Sequence, residues 1–159
     1  MPKVLIVYDS KTGNTEKMAR AVGEGAREEK VDVDIRMAEK IDVKTLEEFD
    51  GIVLGSPTYF GVMSEKVKGF IDRSVEIRGK LENKVGAVFT SSLSVSGGNE
   101  TTLISMIQAM LIHGMVIIGD PVETGGHYGA VAIGDPDEKS LEVCVKLGRR
   151  VAKFVKKLA

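Results

Sequence analysis

Between Lys3 and Tyr8 the chain runs Val-Leu-Ile-Val without a polar residue, and comparable apolar runs recur at Gly51–Gly55 and Lys84–Thr90. A strand with one face in water alternates apolar and polar side chains, so runs lacking that alternation belong to strands buried on both faces. Such strands sit in the middle of a sheet that must be covered on each side. The cover is legible between them. Thr15–Glu29 places Met18, Ala19, Val22 and Ala26 at helical spacing, and Ser64 to about Ile77 does the same with Val67, Phe70, Ile71 and Val75. Asp137–Leu158 closes the chain as a further helix, and a short helix is expected around Thr45–Phe49. Val31–Met37 alternates Val31, Val33 and Ile35 with Asp32, Asp34 and Arg36, the pattern of an edge strand.

Thr101–Ile112 is apolar around most of its circumference, which predicts a largely buried helix. Met115–Gly119 reads as the fifth strand, and Ala130–Gly134 as its continuation or a short addition after a glycine-rich piece. Gly23 and Gly25 fall inside the first helix, where close packing on the sheet explains them. Strand and helix alternate over the whole length, so the expected fold class is α/β: an open parallel sheet with helices on both faces, three layers in all. At 159 residues the chain suits one domain spanning residues 1–159.

Composition narrows the partners. With 22 basic against 23 acidic residues, the net charge of −1 provides no field to gather a phosphodiester backbone, so nucleic acid is not expected. The single cysteine, Cys144, can form neither an internal disulfide nor a zinc cage, and it sits among Leu141, Val145 and Leu147 as a small core residue. No apolar stretch reaches the length of a membrane span, and the short opening run does not make a secretory signal. The expected location is the cytoplasm.

In sheets of this kind ligands lie beyond the carboxyl ends of the strands, where the strand order reverses. The first such segment is Ser10-Lys11-Thr12-Gly13-Asn14-Thr15, leading straight into a helix. Three hydroxyls, a glycine and free helix amides suit a phosphate held by neutral donors; a plain helix cap at Asn14 or Thr15 is the alternative. A nucleoside-triphosphate loop is excluded, since no Gly-Lys-Ser/Thr ending occurs, and no Gly-x-Gly-x-x-Gly follows the first strand.

That segment resembles the phosphate loop of the flavodoxin superfamily, whose members bind FMN. Gly55-Ser56-Pro57-Thr58-Tyr59-Phe60-Gly61 resembles the second flavin loop of the WrbA-type NAD(P)H:quinone oxidoreductases, and Ser91-Ser92-Leu93-Ser94-Val95-Ser96-Gly97-Gly98 resembles their third. Ile112-His113-Gly114-Met115 and His127-Tyr128-Gly129-Ala130 match further elements of the group. The resemblance implies a flavodoxin-like α/β/α sandwich with a five-stranded parallel sheet in the order 2-1-3-4-5. It also implies FMN contacts from Ser10 to Thr15, Pro57 to Gly61, Ser91 to Gly97 and His113, with NAD(P)H as reductant. An isoalloxazine needs an aromatic or apolar wall, which Tyr59 and Phe60 can supply, although one of the two is expected to fill the gap between loop and helix. Loop Ser92–Gly98 holds hydroxyls and no carboxylate, so it offers neutral donors where negative charge develops on reduction and favours two-electron chemistry.

The chain departs from those enzymes between Ile77 and Lys84, where only six residues stand in place of a longer covering insertion, and it has no Trp. Two functions therefore stand side by side. One is NAD(P)H-dependent reduction of a small quinone-like acceptor, with the flavin carrying the chemistry; the other is a one-electron carrier serving a redox partner protein. A homo-oligomer could supply the missing wall over the ring. His127 and Tyr128 could face a substrate or a partner, or merely fill their loop. A non-flavin signalling receiver is the remote alternative, because the third strand ends in Gly55-Ser56-Pro57 with no phosphoacceptor Asp.

Overall fold

A computed structural model describes all residues 1–159. The apolar runs become β1 (Lys3–Tyr8), β3 (Gly51–Pro57) and β4 (Val85–Ser92), flanked by β2 (Asp32–Met37), β5 (Val116–Ile117) and β6 (Ala130–Ile133). Four helices alternate with them: α1 (Asn14–Glu28), α2 (Glu65–Arg73), α3 (Asn99–Ile112) and α4 (Glu138–Leu158). The sheet is parallel in the order β2-β1-β3-β4-β5, with β6 also paired to β4. β2 is the edge, as its charge alternation predicts.

Strand period divides the core into two. Val4, Ile6 and Tyr8 point to the face covered by α1 and α4, where Met18, Val22, Leu147 and Val151 pack. Leu5 and Val7 point to the other face, where α2 and α3 bring Val67, Phe70, Leu103 and Met106. α1 and α4 approach backbone to backbone. A Cβ at Gly25 would run into the Val145 carbonyl, and one at Gly148 into the Val22 carbonyl. Gly25 thus serves helix–helix packing and not the sheet expected of it, whereas Gly23 does lie over Ile35 and Ile6. None of the helices is long and apolar enough to cross a membrane.

Three sequence expectations need correction. The fifth strand is not continuous from Met115 to Gly119: β5 pairs only with Val85 and Gly86, and β6 takes over beside Phe89–Ser92. The chain leaves the sheet because Gly119 packs directly on the His127 carbonyl, closing residues 119–127 into a loop. The helix expected over Thr45–Phe49 is a 3-10 turn, Val43–Glu48, started by Asp42 accepting from the Lys44 amide. Finally, α3 buries only one stripe, Thr102, Leu103, Met106 and Met110, and leaves Leu111 and Ile112 in solvent. They lie on the outer side of the last turn, whose inner side still packs on β4 through Met110 against Gly86.

Candidate functional site

The register sets Tyr8 beside Gly55 and Gly55 beside Phe89, so the chain leaves β1, β3 and β4 at one level. Three loops meet there: loop 1 (residues 9–13), loop 2 (58–64) and loop 3 (93–98). Backbone bonds lace them together, from the Asp9 amide to the Gly55 carbonyl at 3.2 Å and from the Thr58 amide to the Ser91 carbonyl at 2.9 Å.

Loop 1 turns into α1 through Gly13, whose φ of 96° is left-handed and whose Cβ position is open space. The Gly13 amide donates to Ser10 Oγ at 3.1 Å. No side chain caps α1, so the amides that open the helix keep their donors for something outside the chain. The capping alternative fails because the two nominated side chains are engaged elsewhere. Asn14 Nδ2 donates to the Gly134 carbonyl at 3.1 Å, and the buried Thr15 hydroxyl pairs with Ser91 Oγ at 2.8 Å. Lys11 and Thr12 face solvent. Behind the loop, the Tyr8 phenol is held above its ordinary value by burial and by the neighbouring Glu16 carboxylate.

Loop 2 is a two-residue turn. Tyr59 and Val62 exchange both backbone hydrogen bonds, at 3.1 and 3.0 Å, and the central residues Phe60 and Gly61 have φ of 49° and 78°. Glycine adopts this left-handed geometry freely; a phenylalanine does so under strain. The base of the turn is pinned by Thr58 Oγ1 to Thr90 Oγ1 at 2.9 Å, and by the Ser64 amide donating to Ser56 Oγ at 2.8 Å. Phe60 is fully exposed at the tip and so does not fill the gap between loop and helix, whereas Tyr59 is 40% exposed. Both line a cleft of about 630 Å3 shared with Ser10 and Lys11.

Loop 3 folds on its own hydroxyls and glycines. Ser92 Oγ donates to the Ser94 carbonyl at 3.0 Å, and Asn99 Nδ2 reaches back to the Val95 carbonyl at 3.1 Å. Leu93 and Val95 stand out of it, 95% and 77% exposed, beside the exposed Ser94, Ser96 and Gly97. Loops 2 and 3 touch where a Cβ at Gly98 would overlap the Gly61 backbone. The result is an uncapped helix end next to a cleft lined by Ser10, Lys11, Tyr59 and Phe60, with Asp9, Glu65 and Lys66 also on its walls and loop 3 touching it where Gly98 meets Gly61.

The structure brings together every nominated residue from Ser10 to Thr15, Pro57 to Gly61 and Ser91 to Gly97. His113 is the exception. It caps the carboxyl end of α3 at the opposite end of the sheet, where the Asn83 amide meets the Gly114 carbonyl just before β4 begins. Its Nε2 lies 2.7 Å from Ser74 Oγ, whose proton goes to the Ile71 carbonyl, so the imidazole donates from Nε2 and leaves Nδ1 buried without a partner. Burial, and then Arg78, hold it below the ordinary imidazole value. Within one chain it cannot reach the crevice. Sequence reasoning missed Gly134 and Asp135, which close on loop 1 through Asn14 and through a 2.7 Å ion pair with Lys17. The Gly-Asp-Pro turn after the last strand was the available signal. It also missed the buried Asp120, which holds His127.

A model described as a flavodoxin domain matches residues 5–112, more than half of the chain. A protein of Archaeoglobus fulgidus named NAD(P)H dehydrogenase (quinone) is 40% identical, with 99% of this chain and all of that protein covered. An Aquifex aeolicus protein named flavodoxin is 38% identical over 98% of this chain and 88% of its own. Among solved structures, a flavodoxin, WrbA-like protein from Agrobacterium tumefaciens superimposes with a TM-score of 0.85 at 28% identity, all of both chains covered.

Proposed function

From the premise that this chain belongs to the flavodoxin family, and so binds FMN and transfers electrons, we propose that it is an NAD(P)H-dependent reductase of quinone-like acceptors. The crevice suits FMN on its own terms. The uncapped end of α1, with Gly13 left-handed and open, fits the phosphate, and the strained, exposed Phe60 with Tyr59 fits the face of a flat ring. Bound FMN supplies a centre that takes a hydride from a nicotinamide and releases its electrons singly or in pairs.

The chain's own residues bind, orient and tune. Ser10 through Thr15 offer the phosphate hydroxyls and helix amides, with Lys11 at the mouth. Thr58 to Gly61 and Ser91 to Gly97 would hold the ring, their bases fixed by the Thr58–Thr90 and Thr15–Ser91 hydroxyl pairs. The observation that carries two-electron chemistry is loop 3, residues 93–98, which has exposed Ser94 and Ser96 and no carboxylate of its own. Neutral donors stabilise negative charge there, where carboxylates would repel it. The similarity to the Archaeoglobus protein over its full length supports the same reading.

A one-electron carrier is the second reading, favoured by the similarity to the Aquifex flavodoxin and by how little of the chain covers Phe60 and Leu93. Steady-state oxidation of NADPH and NADH by the FMN-loaded protein, with benzoquinone as acceptor, separates the two. Turnover without any added reductase protein supports the reductase. Nucleotide oxidation that appears only after a flavodoxin reductase is added supports the carrier.

A further inference from the structure

Beside loop 3, on the side of β6, an open groove of about 800 Å3 lies between the amino ends of α3 and α4. Val95, Val131 and Val143 give it apolar walls, and His127 and Tyr128 stand at its rim. His127 is built into place. The Asp120 side chain is wholly buried, and its carboxylate accepts three donors: Thr124 Oγ1 at 2.8 Å, the His127 amide at 2.8 Å and His127 Nδ1 at 3.0 Å. Around it, Arg150 Nη1 donates to the Gly119 and Asp120 carbonyls, and Gly125 leaves the space that the imidazole occupies. A carboxylate bonded to Nδ1 places the ring hydrogen there and leaves Nε2, which has no protein partner, at the exposed edge. An exposed histidine oriented by a fully buried acid is an arrangement for handling protons.

The reductase reading creates a use for one. Quinone reduction consumes two electrons and two protons, whereas NAD(P)H yields two electrons and one proton on oxidation to NAD(P)+. We propose that this groove receives the ring of a quinone-class acceptor and that His127, positioned by Asp120, delivers the remaining proton. In that step the acceptor takes up the hydride equivalent whose loss converts NAD(P)H to NAD(P)+, the Nε2–H bond of the imidazolium breaks as an O–H bond forms on a quinone oxygen, and the neutral imidazole regains a proton from solvent. Asp120 keeps the imidazolium paired and its ring fixed. The inference rests on the reductase reading for its chemistry but not for the existence of the site.

Two experiments on the FMN-loaded full chain decide it. The first is an NMR titration with 1,4-naphthoquinone, without reductant. Saturable shifts in the His127 ring and in the Val131 and Val143 methyls are expected; shifts confined to Tyr59, Phe60 and Leu93, or none that saturate, would overturn the site. The second compares acceptors. His127→Gln is expected to lower kcat for naphthoquinone by about 100-fold, as for loss of a general acid, while ferricyanide, which takes no proton, is reduced at the wild-type rate. Asp120→Asn should show the same split, with altered 15N shifts of the His127 ring. Equal slowing of both acceptors, or of neither, would refute the proton role. If wild-type protein reduces no quinone with either nucleotide, the reductase reading fails and the titration still decides the groove.

Discussion

Phe60 combines a left-handed backbone at φ 49° with a ring exposed to water, two unfavourable choices at one position. Strain of this kind persists where a site requires it. Phe60→Gly removes the strain and the ring together. Urea unfolding of the FMN-free variant should show stability unchanged or raised by up to about 1 kcal/mol. FMN affinity, measured by flavin fluorescence, should weaken by about 0.5–1.5 kcal/mol, roughly two- to thirteenfold, the value of one aromatic contact. A variant that loses stability yet binds FMN normally would assign Phe60 to the fold instead. His113 gives a pH prediction with a definite sign. Its folded value lies below the ordinary one of about 6.5 because burial disfavours the charged ring. The unfolded chain therefore takes up the proton first, and this contribution to stability is complete above about pH 6.5 and is lost as pH falls below it. His113→Gln should lack that part of the acid loss, so its Tm deficit against wild type should shrink between pH 8 and pH 5. Cys144, pushed up to about 12 by burial, should stay inert to thiol reagents until the protein unfolds.

At the scale of elements, the tightest contact joins α1 and α4 through Gly25 and Gly148. Gly148→Ala gains helix propensity of about 1 kcal/mol but drives a methyl into the Val22 carbonyl, so it should still destabilise by about 1–3 kcal/mol net. A lower midpoint in thermal unfolding is the expected outcome; a rise would mean that the helices separate freely. The elements also show where sequence reasoning holds. β1, β3 and β4 were legible because their buried stretches Val4–Val7, Gly51–Gly55 and Val85–Phe89 carry no polar side chain, and β2 because charge alternation belongs to an edge. The loops of the site followed, since they had to leave the carboxyl ends of those strands. α3 misled because apolar residues all round a helix record composition and not cover, and Leu111 and Ile112 fall on its outer face. The split between β5 and β6 was hidden for another reason: it depends on Gly119 meeting the His127 backbone, a contact that no local pattern records. His113 was nominated by a short motif, and topology then put it at the wrong end of the chain's own sheet.

For the whole molecule, one topology explains why three separated segments, residues 10–15, 57–61 and 91–97, come to the same end of the sheet. The switch between β1 and β3 opens a crevice at one end of the sheet, and α1, pointing its uncapped amino end there, supplies the charge preference. Val95 of loop 3 also lines the groove at His127, so an acceptor held there would lie against the loop that borders the crevice. Binding at loops tied into β1, β3 and β4 should stabilise the entire fold. Saturation with FMN at about 100 times its dissociation constant should add about 2.7 kcal/mol to unfolding, read as a higher Tm. The most direct test follows the flavin spectrum of the FMN-loaded protein anaerobically, through addition of NADPH, then NADH, then benzoquinone. Bleaching by a nucleotide without a one-electron intermediate, reversed by the quinone, is the expected result. A spectrum unmoved by both nucleotides, with dithionite giving a long-lived one-electron form, would contradict it.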